Sequence, residues 1–230
     1  MLDIVFILVA PAVPENIGAS CRALKTMGFG RLRLVATEAH QHKQARILAH
    51  GSGEVLEAAE VFPDLASALA DVDLSIATSA KSRHQWRSLT PADELADLIA
   101  HKGDTVARAA IVFGCEESGL SNEQLALCQL ISCIPLPVTY PSLNLSQAVM
   151  LYAYELRSLA ANAASPSAPV VEDGRQSQYL SLRHKTQELL EQQGYGPESK
   201  LARWALELLP QADAKAIGFL HALCDKFTKR

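Results

Sequence analysis

Short apolar runs alternate with longer amphipathic segments over the first 160 residues. The apolar runs predict strands at residues 4–9, 32–35, 74–78, 109–113 and 130–134, and the first run is apolar throughout, as in strands buried on both faces. Helical spacing, caps and first-turn prolines predict helices at residues 17–27, 45–49, 64–69, 91–100, 121–128 and 145–160. Ser121 and Gln124 match a capping box, and the last helix has an apolar stripe expected to bury against a core or a partner: Leu145, Val149, Tyr152, Leu156 and Leu159. This alternation predicts an α/β fold, a largely parallel sheet flanked by helices.

The pattern changes after residue 160. Residues 161–174 hold Ala, Asn, Ser and Pro with little periodicity, which predicts a flexible linker. Helices are then predicted at residues 176–193, 198–209 and 212–227. The chain is therefore divided into a domain at 1–160, a linker at 161–174 and a helical C-terminal extension at 175–230. That extension is too small for a robust core of its own, so it is expected to pack on the main domain, on a partner subunit or with substrate.

The amino-acid composition disfavours several classes of protein. The 230 residues are 49% hydrophobic and 20% charged, without an apolar run of about 18 residues, so no transmembrane helix and no membrane partner are expected. The five cysteines are odd in number and form no CxxC pair, which favours free thiols in a reducing cytoplasm. The seven histidines form no metal-binding motif, so no metal is expected. The net charge of −4 counts mildly against nucleic-acid binding, although clusters of charge matter more than the sum.

Three short islands place chemistry-bearing residues at strand ends and loops. Residues 16–22 read Asn-Ile-Gly-Ala-Ser-Cys-Arg, residues 113–120 read Phe-Gly-Cys-Glu-Glu-Ser-Gly-Leu, and residues 142–145 read Ser-Leu-Asn-Leu. On local signals alone, Asn16 and Asn144 are helix caps, Arg22 is a surface cation and Glu116 belongs to a solvated turn. A functional interpretation uses Arg22 as a phosphate clamp and Gly114 as a point where a ligand approaches the backbone.

The sequence lacks the motifs of the common classes of nucleotide-binding protein. The sequence has no GxxxxGK[ST] loop and no GxGxxG opening a first helix, and its first strand is followed by Ala-Pro-Ala-Val-Pro rather than a glycine-rich loop. These absences disfavour nucleotide hydrolysis, ordinary dinucleotide binding and the Rossmann type of methyltransferase.

The three islands together resemble the signature motifs of the SpoU-type RNA 2′-O-methyltransferases of the SPOUT superfamily, most closely the TrmJ/LasT-like branch. The resemblance covers roughly residues 1–160 and implies a trefoil-knotted α/β domain, S-adenosylmethionine (SAM) as cofactor, and a homodimer with one subunit's Arg near the partner's cofactor. It implies that Arg22 assists deprotonation of the ribose 2′-hydroxyl, and that four further residues arrange the reacting groups: Asn16, Glu116, Ser142 and Asn144. It assigns the cofactor pocket to Thr78, Ser79, Ala80, Gly114, Ile134, Pro141, Ser142, Leu143, Asn144 and Leu145.

Basic residues form two sets that suit RNA phosphates. The first is Arg22, Lys25, Arg31, Arg33, Lys43 and Arg46. The second follows the cofactor loop and interleaves a tryptophan that suits base stacking: Lys81, Arg83, Trp86 and Arg87. In TrmJ-like relatives a C-terminal extension helps to hold tRNA. Many relatives have Arg where this chain has Cys115, a departure that removes a cation beside the site.

The sequence therefore predicts a cytoplasmic, SAM-dependent RNA ribose 2′-O-methyltransferase acting on tRNA, with ribosomal RNA as the second substrate class. One alternative is an RNA-binding or regulatory protein that keeps the knotted fold without turnover. Another is a small-molecule methyltransferase, which would need no basic surface.

Overall fold

The computed structural model describes residues 2–80, 89–137, 142–160 and 177–228. Within them, seven parallel strands form one sheet in the order β3-β2-β1-β6-β4-β7-β5. The strands are β1 (Asp3–Val9), β2 (Leu32–Val35), β3 (Glu60–Phe62), β4 (Leu74–Thr78), β5 (Leu89–Pro91), β6 (Arg108–Phe113) and β7 (Leu130–Cys133). The predicted α/β class with a parallel sheet is confirmed, and the knot stays a prediction.

The sequence predicted five of these strands and missed two. The predicted ones are the buried strands β1, β2, β4, β6 and β7, whose apolar runs are long enough to stand out. The missed strands, β3 and β5, have three residues each and lie at the two edges of the sheet. Glu60 and Val61 are exposed and β5 ends in a proline, so neither strand has a buried periodic face that a pattern could reveal.

Eleven α-helices are found in the described residues. They are α1 (Pro14–Thr26), α2 (Lys43–Leu48), α3 (Gly53–Glu57), α4 (Leu65–Ala68), α5 (Leu95–Ala100), α6 (Asn122–Leu127), α7 (Leu145–Glu155), α8 (Arg157–Ala160), α9 (Gln178–Gln192), α10 (Lys200–Leu208) and α11 (Ala214–Thr228). None of them has both the length and the apolar character needed to cross a bilayer.

Three helix predictions need correction. The helix predicted at 91–100 begins only at Leu95, because Pro91 ends β5 and residues 92–94 form a 3-10 turn. The helix predicted at 17–27 begins earlier, at Pro14, because proline suits the first helical position. The helix predicted at 145–160 is two helices, since α7 ends at Glu155 and α8 follows after Leu156. The capping box predicted at Ser121 and Gln124 is confirmed, with both of its hydrogen bonds formed.

Helices cover both faces of the sheet. On one face α1 and α7 pack over Phe6, Phe113 and their neighbours, and Phe6 stacks on Phe113 with 6.2 Å between ring centroids. On the other face a smaller apolar cluster lies beneath α4 and α6. The apolar stripe predicted along α7 is buried at every position, at Leu145, Val149, Tyr152, Leu156 and Leu159.

The C-terminal helices pack on the main domain, one of the arrangements expected from the sequence. Tyr179 of α9 and Ile217 of α11 belong to the same apolar cluster as the sheet. Lys102, which follows α5, is almost fully buried and donates hydrogen bonds from its Nζ to the carbonyl oxygens of Pro210 and Ala212. The predicted linker at 161–174 lies outside the described residues, and the proposed domain division stays a prediction.

Replacing Lys102 with methionine is expected to loosen this contact. The carbonyls of Pro210 and Ala212 lose this donor, which we expect to destabilise the folded chain by about 1–3 kcal/mol and to expose α9–α11 to protease. Limited proteolysis and denaturant unfolding measure both effects, with the exposed Lys200→Met variant as control.

The pH dependence of stability gives a second measurement for the same residue. Burial lowers the pKa of Lys102 to about 8, below the ordinary lysine pKa of 10.5 that applies to the unfolded chain. Between these two values the unfolded state binds more protons, so the stability of the wild type should rise as the pH increases through this range. The Lys102→Met variant should lack that rise, and an equal rise in both proteins would contradict the assignment.

Candidate functional site

A cavity of about 270 Å³ opens at the carboxyl ends of the neighbouring strands β4, β6 and β7. Ligands of open parallel α/β sheets bind at this edge. Eight of the residues predicted to bind the cofactor line the cavity: Thr78, Ser79, Ala80, Gly114, Ile134, Ser142, Leu143 and Leu145. Of the other two, Pro141 lies outside the described residues and Asn144 lies beside the cavity rather than in its wall.

The sequence did not identify the aromatic part of the cavity wall. Tyr152 and Phe113 meet edge to face with 5.4 Å between their ring centroids, and both line the cavity. The Tyr152 hydroxyl donates to Ser132 Oγ at 3.0 Å, and burial raises the pKa of Tyr152. A signal was present, because Tyr152 lies on the predicted apolar stripe of α7, but it only indicated burial.

Glu116 connects the second island to the first. Its carboxylate accepts hydrogen bonds from the backbone N–H of Ala12 at 2.9 Å, the N–H of Val13 at 3.2 Å and Asn16 Nδ2 at 2.8 Å. These donors lie at the start of α1, where backbone N–H groups have no partner within the helix. Glu116 therefore holds the segment that leads into α1 from a distant part of the chain.

Asn16 connects Glu116 to the third island. Asn144 Nδ2 donates to Asn16 Oδ1 at 2.9 Å, while Asn144 Oδ1 accepts from the N–H of Ser146 at 2.8 Å and so caps α7. The side chains Glu116, Asn16 and Asn144 thus form one hydrogen-bonded chain, which we call the relay. Asn16 was predicted to cap α1, and this is wrong: it lies inside the first turn, and its amide serves the relay instead.

The charge of Glu116 is stabilised by these contacts. Partial burial acts to raise the pKa of its carboxyl, but the hydrogen bonds from Ala12, Asn16 and Val13 outweigh burial and hold the pKa below its usual value. Glu116 is therefore ionised at neutral pH, in the state that accepts from all three donors.

Gly114 also has a structural role that the sequence did not reveal. A Cβ at this position would lie 2.1 Å from the backbone carbon of Gly119 and 2.2 Å from the N of Leu120. The space that a side chain would need is therefore occupied by the chain itself, which folds back across residues 114–120. A glycine is required because the two backbone segments touch.

Replacing Gly114 with alanine should push residues 119–120 out of the cavity wall. We expect a loss of about 1–3 kcal/mol in the free energy of unfolding, together with weaker SAM binding. Denaturant titration and isothermal calorimetry measure the two effects. Gly53→Ala is the control, since a Cβ there meets nothing within 4 Å. Equal stability of both variants would contradict the steric argument.

Cys115 also lines the cavity. Its Sγ lies 3.1 Å from Ser118 Oγ, and that contact is the main reason why the pKa of this thiol is lowered. The thiol is half-buried and lies in the same loop as Glu116.

Arg22 lies apart from the cavity of its own subunit. It is exposed on α1 and does not line the cavity, and within the described ranges its guanidinium has no carboxylate within 4 Å. Neither Ser142 nor Asn144 is seen to bind it. Lys25, one turn further along α1, is exposed and paired with Glu54. The second basic set, Lys81, Arg83, Trp86 and Arg87, lies outside the described residues.

Two arginines that were grouped with the RNA-facing cations have structural roles. Arg31 pairs with Asp3 at 2.9 Å. Arg33 is 4% exposed and binds both carboxylate oxygens of Asp71, at 2.6 and 2.8 Å, together with Glu60 at 3.1 Å. Both arginines are held by acidic partners at the sheet, and the buried Arg33 is not available to RNA.

Metal-binding side chains do not cluster in the part of the chain that the structure describes. Nowhere in it do three histidine, cysteine or acidic side chains come together where they could hold a metal ion.

Two family models match the chain. The model of the SpoU rRNA Methylase family matches residues 3–154, and the C-terminal domain of the tRNA/rRNA methyltransferase LasT matches residues 176–230. The chain belongs to the SpoU rRNA methylase family. The first match contains all three members of the relay, and the second contains α9–α11. The predicted TrmJ/LasT-like branch is confirmed.

Named relatives and a solved structure agree with this membership. The "Uncharacterized tRNA/rRNA methyltransferase LasT" of Escherichia coli is 41% identical over 228 residues, 99% of this chain and 98% of that protein. The "tRNA (cytidine/uridine/adenosine-2′-O-)-methyltransferase TrmJ" of Pseudomonas aeruginosa is 38% identical over 68% of this chain and 62% of that protein. The crystal structure of TrmJ from Z. mobilis superposes with a TM-score of 0.64 at 28% identity, covering 97% of this chain and 98% of that one.

Proposed function

We propose that the chain transfers the methyl group of SAM to the ribose 2′-oxygen of an RNA nucleotide, with tRNA as the substrate class. The observation that supports this most is the relay, because it joins the three islands at one edge of the sheet beside the cavity. Membership of a methylase family supplies the reaction class, and the TrmJ relative, named as a tRNA 2′-O-methyltransferase, supports the substrate.

The cavity suits SAM in size and chemistry. Its volume of about 270 Å³ is near the lower end of ligand pockets, and apolar side chains such as Phe113 and Leu136 stand beside polar ones such as Thr78 and Ser142. Apolar walls suit an adenine ring, while hydroxyls and backbone groups suit the ribose and the amino-acid end. When bound, SAM would supply an electrophilic methyl group on its sulfonium sulfur.

The residues of the chain would orient the reactants. The relay holds the loop at 142–145 against α1, which fixes one wall of the cavity. Alignment of the ribose oxygen with the methyl carbon would then supply much of the rate enhancement. The ribose oxygen would gain the methyl carbon as the carbon–sulfur bond breaks, and the proton of the 2′-hydroxyl would pass to solvent.

Arg22 of one subunit would assist this loss of the 2′-hydroxyl proton at the cavity of the neighbouring subunit. It has no carboxylate partner in the described residues and lies away from its own cavity, so it is free to clamp an RNA phosphate with two hydrogen bonds. A homodimer would bring this guanidinium to the partner's cavity. The homodimer and the roles of Arg22, Asn16, Glu116, Ser142 and Asn144 are part of the proposal.

Methyl transfer can be tested directly with the full chain. The purified protein would be incubated with methyl-labelled SAM and total RNA from cells that lack its gene. Label is expected in tRNA. The labelled nucleotide should have a 3′ phosphodiester bond that resists alkaline hydrolysis, because its 2′-oxygen is methylated. Label in ribosomal RNA instead of tRNA would show that ribosomal RNA is the substrate class. SAM binding with no label in any RNA would contradict the enzyme assignment and favour a binding role without turnover.

A further inference from the structure

Residues 39–53 of this acidic chain contain bases but no acids. Residues 39–53 include Lys43, Arg46 and three histidines, with neither aspartate nor glutamate, although the whole chain has a net charge of −4. A run of this kind concentrates positive potential on one surface whatever the net charge.

The structure places these cations on the outside of α2. Lys43 and Arg46 are both exposed, and in the described part of the chain neither lies within salt-bridge distance of a carboxylate. This distinguishes them from Lys25, Arg31 and Arg33, which all have acidic partners. We call Lys43 and Arg46 the α2 cations.

A close helix contact fixes the α2 cations relative to Arg22. A Cβ on Gly18 would lie 2.1 Å from the carbonyl oxygen of Ala45 and 2.9 Å from the N of Ala49, so α1 and α2 touch through their backbones. Arg22 is one turn beyond Gly18 and therefore lies on the same face of α1. Lys25, almost two turns beyond Gly18, reaches Glu54 of α3. Arg22 thus emerges beside the junction of α2 and α3.

We infer that the α2 cations bind phosphates of the RNA strand next to the nucleotide that Arg22 engages. This inference rests on the proposed function and adds a substrate-binding surface to it. Rigid attachment to α1 means that phosphates held by α2 would be placed at a constant distance from Arg22. Contacts of this type position a nucleic acid without reading its sequence.

A polyanion fits this surface better than a second copy of the chain. In a two-fold interface centred on α2, Lys43 and Arg46 would face the same cations of the other subunit, and like charges would repel. The described residues of α2 bring no acid to compensate them. An RNA backbone supplies a negative charge at every nucleotide.

The test compares two pairs of neutralised cations in the full chain. Lys43→Gln with Arg46→Gln removes the α2 cations. Lys215→Gln with Lys226→Gln removes the same charge from exposed positions on α11. Binding to purified total tRNA would be measured between about 50 and 200 mM salt, because each phosphate contact adds about 0.7–0.9 to the slope of log affinity against log salt.

The α2 pair is expected to lose about tenfold in tRNA affinity and to flatten the salt slope by roughly 1.5, as two lost contacts require. SAM affinity should be unchanged. An equal loss in the α11 pair would overturn the inference, since only net charge would then matter. So would loss of dimers in the α2 pair, which would assign the surface to a second copy. If the wild type methylates tRNA and the α2 pair binds it normally, this inference alone fails. If the wild type neither binds nor methylates RNA, the proposed function fails as well.

Discussion

Replacing Glu116 with glutamine is expected to reduce the rate of RNA methylation about a hundredfold, because a displacement of about 1 Å at a reacting centre has an effect of this size. Glutamine keeps the shape of the side chain but has one acceptor oxygen where the carboxylate has two. The side-chain NH₂ of glutamine would face either the N–H of Ala12, or both the N–H of Val13 and the Asn16 amide. In either position two hydrogen-bond donors would oppose each other. The free energy of unfolding should fall by only about 1–3 kcal/mol, so most of the protein stays folded.

Two measurements separate the relay from a general effect of charge. Glu123→Gln makes the same change on the exposed surface of α6 and should leave methylation unaffected. Because the pKa of Glu116 is lowered in the folded state, its contribution to stability is present above its unfolded pKa and is lost as the pH falls through the folded value. Acid unfolding of Glu116→Gln should lack this contribution. An active Glu116→Gln enzyme would show that the relay does not orient the site.

Replacing Arg22 with alanine is expected to reduce methylation strongly while leaving the stability of the fold almost unchanged. Its exposed guanidinium has no carboxylate partner in the described residues, so stability should change by no more than about 0.5 kcal/mol. The methylation rate should fall by about 10² to 10⁴-fold, the range that assisted proton transfer contributes in enzymes. Single-turnover methylation at saturating RNA measures this loss apart from binding. Lys25→Ala, one turn away on the same helix, is the matched control, and an equal effect of both changes would contradict a specific role for Arg22.

Mixing the two inactive variants tests whether Arg22 acts on the partner's cavity. In a heterodimer of Arg22→Ala and Glu116→Gln, the subunit with the intact relay would face the subunit with the intact Arg22. Random pairing in a two-fold dimer gives half heterodimers with one complete site each, so about a quarter of wild-type activity should return. No recovery after exchange of subunits would place Arg22 at the cavity of its own subunit.

Local patterns were sufficient wherever a single segment determines its own structure. The buried strands β1, β2, β4, β6 and β7 were predicted because their apolar runs need no information about neighbours. The capping residues Ser121 and Asn144 were predicted because a cap bonds within its own first turn. The edge strands β3 and β5 were missed because their pairing partners, not their sequences, make them strands.

The same distinction applies to individual site residues. Asn16 looked like a cap because its partners, Glu116 and Asn144, are 100 and 128 residues away. The contact of Gly114 with Gly119 and Leu120 was missed because the return of these residues across it depends on the whole loop. Lys102 carried no signal at all, since a lysine that binds carbonyls more than 100 residues away has the same sequence context as an exposed one.

The sequence by itself determined the α/β class, the three islands and the family. These depend on hydrophobic periodicity and on residue types at fixed short spacings, which each segment contains in full. Only the tertiary structure decided that Glu116, Asn16 and Asn144 form one relay, that Arg31 and Arg33 are paired, and that α1 and α2 touch at Gly18. Those facts depend on which distant groups meet, and hydrogen bonds and ion pairs act over a few ångströms of space whatever the separation along the chain.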